Sequence, residues 1–382
     1  MPVAASHART VAVRAHAPSG GSVVATAPVA PPAAYVDMPY PKRKSPLDDR
    51  PTLVKAMTAV TEQVLALPPV FSAAAADARS TMFERGAQIG SPWPDAVDEY
   101  KRQKDMTQWE AALRDVTKIP TEDLPTYFTL PFHAYEAGNI GWAPAFEADS
   151  AAVTVHAPIF DADAKEMKPE GDEQMRMSFL DAAKQLAKAM GSNVHDGSGA
   201  VDAVDVGCST GRSAAMLRAS LGRGAFVRGV DLSAHFLAVA CSNQESGKGL
   251  FQKANVATGS SRIEFVHAAG ESMPFDDESQ DVVCVSLTFH ELPGGVSLQI
   301  IEEAYRVLRP GGFIQIMEMD PSSAFFQRIA SIPPAWAAFR ATEPWLASYA
   351  CLDVTEAIKV AGFADVRDAT CTPRHRAWVG KK

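Results

Sequence analysis

The chain is poor in cysteine, short of basic charge, and free of Asp and Glu over its first 36 residues, and each shortage excludes something. Its five cysteines, Cys208, Cys241, Cys284, Cys351 and Cys371, form no C-x-x-C pair and all lie in the second half. An odd, scattered set is neither a disulfide framework nor a structural zinc site; it fits free thiols in a reducing compartment, and no metal is expected. Lys and Arg number 36 against 45 Asp and Glu, a formal net charge of −9. Nucleic acid is thereby disfavoured as a partner, because binding to a phosphate backbone draws on clustered cations. Small-molecule chemistry is favoured. No apolar run has the length of a helical membrane span, which leaves only peripheral membrane contact open.

The acid-free leader carries Arg9 and Arg14 among Ala, Val, Ser, Thr and Pro. That is the composition of an organelle transit peptide, with a chloroplast address expected first and a mitochondrial one as the alternative; a merely disordered terminus is the other reading. The leader is expected to end at Pro39 to Lys44, giving a boundary at residue 40. With 47% hydrophobic and 21% charged residues, the remainder has the balance of a globular protein.

The most informative stretch is Val204-Asp205-Val206-Gly207-Cys208-Ser209-Thr210-Gly211-Arg212, a β-branched strand running into a tight turn and then a helix. Gly207 and Gly211 bracket small residues only, so a ligand can lie against bare backbone at a helix N-terminus. Their G-x-x-x-G spacing differs from the G-x-G-x-x-G of dinucleotide-binding loops, which points away from NAD. A second apolar run ends in Asp231, 24 residues past Gly207, where a carboxylate can accept both hydroxyls of a ribose. The bland alternative is a helix cap ahead of Leu232-Ser233. Further strands are expected at Asp281 to Leu287 and, after the turn Leu308-Arg309-Pro310-Gly311-Gly312, at Phe313 to Met317.

With Asp205 to Gly211, Asp231, Glu271 to Phe275 (ESMPF), the DVV at Asp281 and the LRPGG at Leu308 in this order, the chain resembles a class I S-adenosylmethionine-dependent methyltransferase over roughly residues 175 to 382. The resemblance is to type 11 methyltransferase domains, similar to the quinone-pathway C-methyltransferases and of plastid type. It implies an α/β fold, a Rossmann-like and mostly parallel sheet whose last strand is antiparallel, with an N-terminal helical extension. A closing hairpin at Asp365 to Asp368 and Arg376 to Val379 is expected from the tail itself. The organisation expected is a transit peptide over 1–40, a helical module and strap over 41–170, and the methyltransferase domain over 171–382.

The resemblance further implies S-adenosylmethionine as cofactor, held by Asp205, Gly207, Cys208, Ser209, Gly211, Asp231, Gly270 and Glu271. Asp205 would orient the loop or the donor's ammonium. The chain departs from the family where relatives place an Asp for the adenine amino group, since that position is Ala269. His290, just past the fourth strand, is the catalytic candidate; it either accepts a proton, at an ordinary pKa near 6.5, or merely fixes its loop. Glu318 and Asp320 share a face of the fifth strand, and either contact substrate or cap the turn before Pro321. A lowered thiol pKa at Cys208 is the alternative to its being simply small.

Ahead of the domain, a helix from Pro51 is expected to bury Leu53, Met57, Val60, Val64 and Leu67, and a second, from about Asp95 to Val116, to bury Tyr100, Met106, Trp109 and Leu113. The aromatic, aperiodic stretch Tyr127 to Trp142 includes PFHAYEAGN-x-x-W, similar to a segment ahead of the catalytic fold in plastid methyltransferases. It reads either as a strap across the ligand mouth or as aromatic pins for the helical module. Glu173 to Met190 is expected as a helix with Met177, Leu180, Ala183, Leu186 and Ala187 inward. Aromatic residues of the 333–349 insertion, Trp336, Phe339, Trp345 and Tyr349, suit either a lid for an apolar acceptor or a core. The function expected is methyl transfer to a small, apolar or aromatic acceptor, or else a non-catalytic binding or assembly role on the same fold; oligomeric state is not readable.

Overall fold

The structure, a computed structural model, describes residues 31–133, 135–161, 166–197, 199–247, 249–253 and 262–382. Most of the expected leader lies outside the described residues. Ahead of the first strand run α1 (Ala33–Val36), α2 (Thr52–Leu65), α3 (Pro68–Gln88), α4 (Trp93–Gln103), α5 (Met106–Val116), α6 (Trp142–His156) and α7 (Gly171–Ala189). Proline sets several of the starts, at the N-cap of α2 and in the first turn of α3 and α4, where its missing N–H costs nothing.

The domain that follows alternates strand and helix: β1 (Val201–Val206), α8 (Arg212–Leu221), β2 (Ala225–Asp231), α9 (Ala234–Ser246), α10 (Leu250–Lys253), β3 (Ile263–His267), β4 (Gln280–Ser286), α11 (Gly294–Val307) and β5 (Leu308–Met319). After β5 come α12 (Ala324–Ser331), α13 (Pro333–Thr342), α14 (Leu346–Ala350), α15 (Val354–Val360), β6 (Asp365–Thr372) and β7 (His375–Lys381). The seven strands form one sheet in the order β3-β2-β1-β4-β5-β7-β6. Strands β1 to β5 pair in parallel, and β7 lies antiparallel between β5 and β6, closing the sheet with the expected hairpin. Strand β4 is buried nearly throughout, as a parallel strand covered on both faces must be.

Several expected helices differ in detail. The helix expected over 95–116 breaks at Asp105, whose side chain accepts from Gln108 N while Gln108 returns the bond to Asp105 N. This reciprocal cap starts a new helix rather than continuing the old one. Tyr100 and Trp109 are buried as expected, but Met106 is exposed. In α7 the buried face comprises Met175, Phe179, Leu180, Ala183 and Ala187, and Met177 faces solvent. The largest correction is α2: Leu53, Met57, Val60, Val64 and Leu67 are all exposed, because the helix packs on α13 through its other side.

The boundary expected at residue 40 cuts a packed segment. Tyr35 meets Tyr127 and Trp345 edge to face, and Met38 and Tyr40 lie so close over Gly295 and Gly294 that any side chain there would strike them. Arg43 N donates to Cys351 O at 2.8 Å and Asp353 N to Pro41 O at 3.0 Å, so residues 41–43 are stitched to the loop after α14.

Candidate active site

The sheet order reverses between β1 and β4, and at such a switch point the loops leaving adjacent strands diverge and open a crevice. Gly207 (φ 71°) and Gly211 (φ 86°) turn the chain out of β1 into α8. A Cβ on Gly207 would lie 2.5 Å from Thr288 Oγ1, so the glycine lets the loop close against the end of β4. Gly207 N and Cys208 N both donate to Val230 O, and Gly211 N donates to Cys208 O. Among the described residues four non-glycines have positive φ, and three border this crevice: Ser209 (49°), Leu287 (56°) and His133 (48°). Strained backbone of this kind concentrates at functional sites.

Asp231 ends β2 with its carboxylate against the loop. Its Oδ2 accepts from Ser209 N and its Oδ1 from Ser233 N, each at 2.8 Å, which unites the cap and loop-holding roles. Burial pushes its pKa up to about 6, against the lowering effect of these backbone donors. Asp205 is fully buried behind the loop, accepts from Ser213 Oγ at 2.6 Å and has Oδ1 unpartnered; burial raises it to about 7. The Cys208 thiol is in the core against Gly229, and burial holds it well above its ordinary pKa, which removes the reading of a lowered value. Only the backbone of Cys208 belongs to the loop's ligand face. Gly270 sits where a Cβ would strike Val206, and Ala268 N donates to Asp231 O, so the chain through Ala269 and Gly270 runs beside the end of β2. Glu271 Oε1 accepts from Tyr127 OH at 2.6 Å, and its Oε2 is buried without a partner.

At the β4–β5 end the groups are charged side chains. His290 Nδ1 lies 3.1 Å from both oxygens of Glu318, which is fully buried on β5 and also accepts from Met319 N. Burial alone would lower the imidazole, but the Glu318 carboxylate, with Glu343 and Glu291 beside it, raises it to about 10. The expected pKa near 6.5 is therefore corrected: at neutral pH His290 is an imidazolium. Its Nε2 is 3.9 Å from Glu291 Oε1. Glu343 is buried, 3.6 Å from His133 Nε2, and its Oε2 lacks a partner. Asp320 caps Ser322 and pairs with Arg376, the turn-capping role of the two weighed for it. Trp336, Trp345 and Tyr349 are buried in the main core, so they are not an open lid; Tyr349 donates to Met319 O and its ring stands edge-on to His290.

The 127–142 stretch does both things weighed for it. Asn139 O accepts from Ser233 Oγ, Asn139 Nδ2 donates to Glu291, and Tyr127 reaches Glu271, so it straps the crevice. Tyr135 meets Glu147 and Arg79, while Trp142 stacks on Phe146 beside Trp109, so it also pins the helical module.

Sequence reasoning missed three contributors. Asp149 on α6 accepts from Thr210 Oγ1 and Tyr100 OH, tying the helical module to the glycine loop, and Arg212 at the start of α8 donates to the buried Asp172 at 2.5 Å. His267 accepts from Lys118 N at Nδ1 and donates to Leu232 O from Nε2, joining the module to β3. No local pattern marks any of them.

Residues 204–316 match the family model described as a methyltransferase domain. The chain carries a class I methyltransferase domain. This domain is 28% identical over 150 residues to demethylmenaquinone methyltransferase of Bacillus subtilis, covering 39% of this chain and 58% of that one. It is 36% identical over 115 residues to the Clavibacter sepedonicus enzyme of the same name, covering 30% and 40%. The chain thus spans about half the length of the curated relatives it matches. A solved S-adenosylmethionine-dependent methyltransferase from Aquifex aeolicus aligns at TM-score 0.37 and 18% identity, covering 54% of this chain and 92% of that one.

Proposed function

We propose that the protein is an S-adenosylmethionine-dependent methyltransferase acting on a small, apolar or aromatic acceptor. The observation that carries this reading is the join of the Gly207 to Gly211 loop to Asp231 at the switch point of a methyltransferase sheet. The residues present fit the donor: the loop offers backbone, Asp231 has lone pairs left for ribose hydroxyls, and Asp205 and Glu271 each keep a buried oxygen without a partner. Glu271 Oε2 would supply the acceptor atom that Ala269 cannot. When bound, the donor supplies an electrophilic methyl group on a sulfonium.

Because that displacement is in-line and consumes positive charge, the chain's work is to orient the partners and exclude water. The strap excludes water. His290, protonated and held by Glu318, donates from Nε2 to an acceptor oxygen and favours its deprotonated form. Glu291, whose pKa is raised by burial, is placed to take the proton. Turnover of labelled donor by the full chain, against a panel of phenolic, hydroquinone and amine acceptors, tests the reading. Methylation of a hydroxyl-bearing aromatic supports it, and transfer to amines alone overturns the assignment of His290.

A second reading, a non-catalytic binding or assembly factor, is favoured by one observation: the anchors are already engaged, Asp231 by the loop, Ser233 and Glu271 by the strap. Absence of donor binding would select it. The acid-free leader supports a chloroplast address, with the mitochondrion as the alternative; an import assay on the full chain decides between them.

A further inference from the structure

Helix α2 is amphipathic the wrong way round for a core element. It meets α13 through Thr58, Glu62 and their neighbours, with Thr58 buried and Glu62 accepting from Arg340 Nη1 at 2.5 Å. Its apolar stripe, Leu53, Met57, Val60 and Val64, continued by Leu67 at the bend into α3, is 46–70% exposed. A surface helix ordinarily turns such a stripe inward. No charged residue interrupts it over about 16 Å of helix.

We propose that this face docks on a lipid bilayer bearing anionic headgroups. Charge favours that occupant: of the ionisable groups in residues 42–67, Arg43 and Arg50 donate to Ala350 O and Gln327 and Glu62 pairs with Arg340, which leaves the exposed Lys42, Lys44 and Lys55 against Asp48 and Asp49, in a chain of net charge −9. Lys44 and Lys55 are exposed and gather with Asp48 and Asp49 at the N-terminal end of the stripe. Apolar side chains on one helix face with cations gathered at the helix's N-terminal end are chemistry that suits a helix lying in the headgroup layer. The depth is interfacial, since no single helix among the described residues is long and apolar enough to cross a membrane, and α2 and α3 meet at 95°. A second copy fits less well: the stripe exposes on the order of 500 Å², below the roughly 800 Å² per partner of a stable interface.

Co-sedimentation of the full chain with phosphatidylcholine vesicles, with and without phosphatidylglycerol, tests this. The expected result is binding to the phosphatidylglycerol vesicles that weakens with salt. It should fall at least 100-fold in the Val60→Glu/Val64→Glu variant, about tenfold for each apolar side chain withdrawn, with an unchanged melting temperature. Lys44→Glu/Lys55→Glu should remove most of the salt dependence. No binding to either vesicle, or undiminished binding by Val60→Glu/Val64→Glu, overturns the proposal. So does a dimer in sedimentation equilibrium that this variant dissolves, which assigns the face to a second copy, or vesicle binding that appears only once residues 1–30 are removed, which assigns it to that segment.

Discussion

The two ends of the crevice are built differently. At the β1–β2 end the surface offered to a ligand is backbone, shaped by glycines and held from behind by Asp231, Asp205 and the Asp172–Arg212 pair. At the β4–β5 end it is titratable side chain, with the neighbours His290 and Glu291, Glu318 and Glu343 drawn from three separate segments. A backbone cradle is specified by which residues are small and where they fall, a local property. A charge cluster is specified by what meets in space. The first end suits a fixed ligand, the second an acceptor chosen by its chemistry.

The largest effect expected at the first end comes from charge behind the cradle. Arg212→Ala removes a principal partner of a fully buried carboxylate that Arg176 and Arg212 hold well below its ordinary pKa although burial opposes them. It should cost about 3–5 kcal/mol in denaturant unfolding, the usual penalty for breaking a buried pair. A loss below 1 kcal/mol would show that Arg176 and His156 suffice and that the donor end does not depend on this pair.

At the other end Glu318→Gln should release His290 to the effect of burial and bring its titration, followed by NMR, from about 10 to below 6.5. The linkage sign is the same at both ends, and the pH window separates them. His290 is raised in the fold, so its stabilisation is complete below about 6.5 and is lost as pH rises through about 10; Glu318→Gln should flatten that limb. Asp205 is also raised, to about 7, so the fold binds the extra proton between about 3.8 and 7 and loses stability as pH rises across that window. Asp205→Asn should flatten this lower limb alone.

Gly207→Ala tests the cradle itself. Positive φ and a 2.5 Å approach to Thr288 Oγ1 together should cost about 1–3 kcal/mol, and donor affinity should fall by tenfold or more. Tyr127→Phe should have the smallest effect, about 1 kcal/mol, from loss of the strap's bond to Glu271. Faster association of donor in that variant would show that the strap gates the crevice.

The same contrast explains what could be read in advance. The glycine loop, the acid closing β2 and the strands from Asp281 and Phe313 were legible because each is a short-range pattern whose meaning does not depend on its neighbours. The raised pKa of His290 was not, since it is set by Glu318, 28 residues away, and by Glu343 beyond it. Helix α2 shows the limit of periodicity: Leu53, Met57, Val60 and Val64 announce an amphipathic helix correctly, but which side is buried is decided by α13 and the Arg340–Glu62 pair. Asp149 and His267 escaped because a bond between the helical module and the sheet leaves no spacing in either segment.

Titration calorimetry of S-adenosylhomocysteine into the full chain and into Asp231→Asn tests the central claim most directly. The account predicts binding of micromolar order to the unaltered chain and affinity at least 100-fold weaker in Asp231→Asn, with the same circular dichroism, because the amide both frees Ser209 or Ser233 and cannot accept two ribose hydroxyls. No heat from the unaltered chain, with this ligand or with S-adenosylmethionine, or equal affinity in the variant, would contradict it.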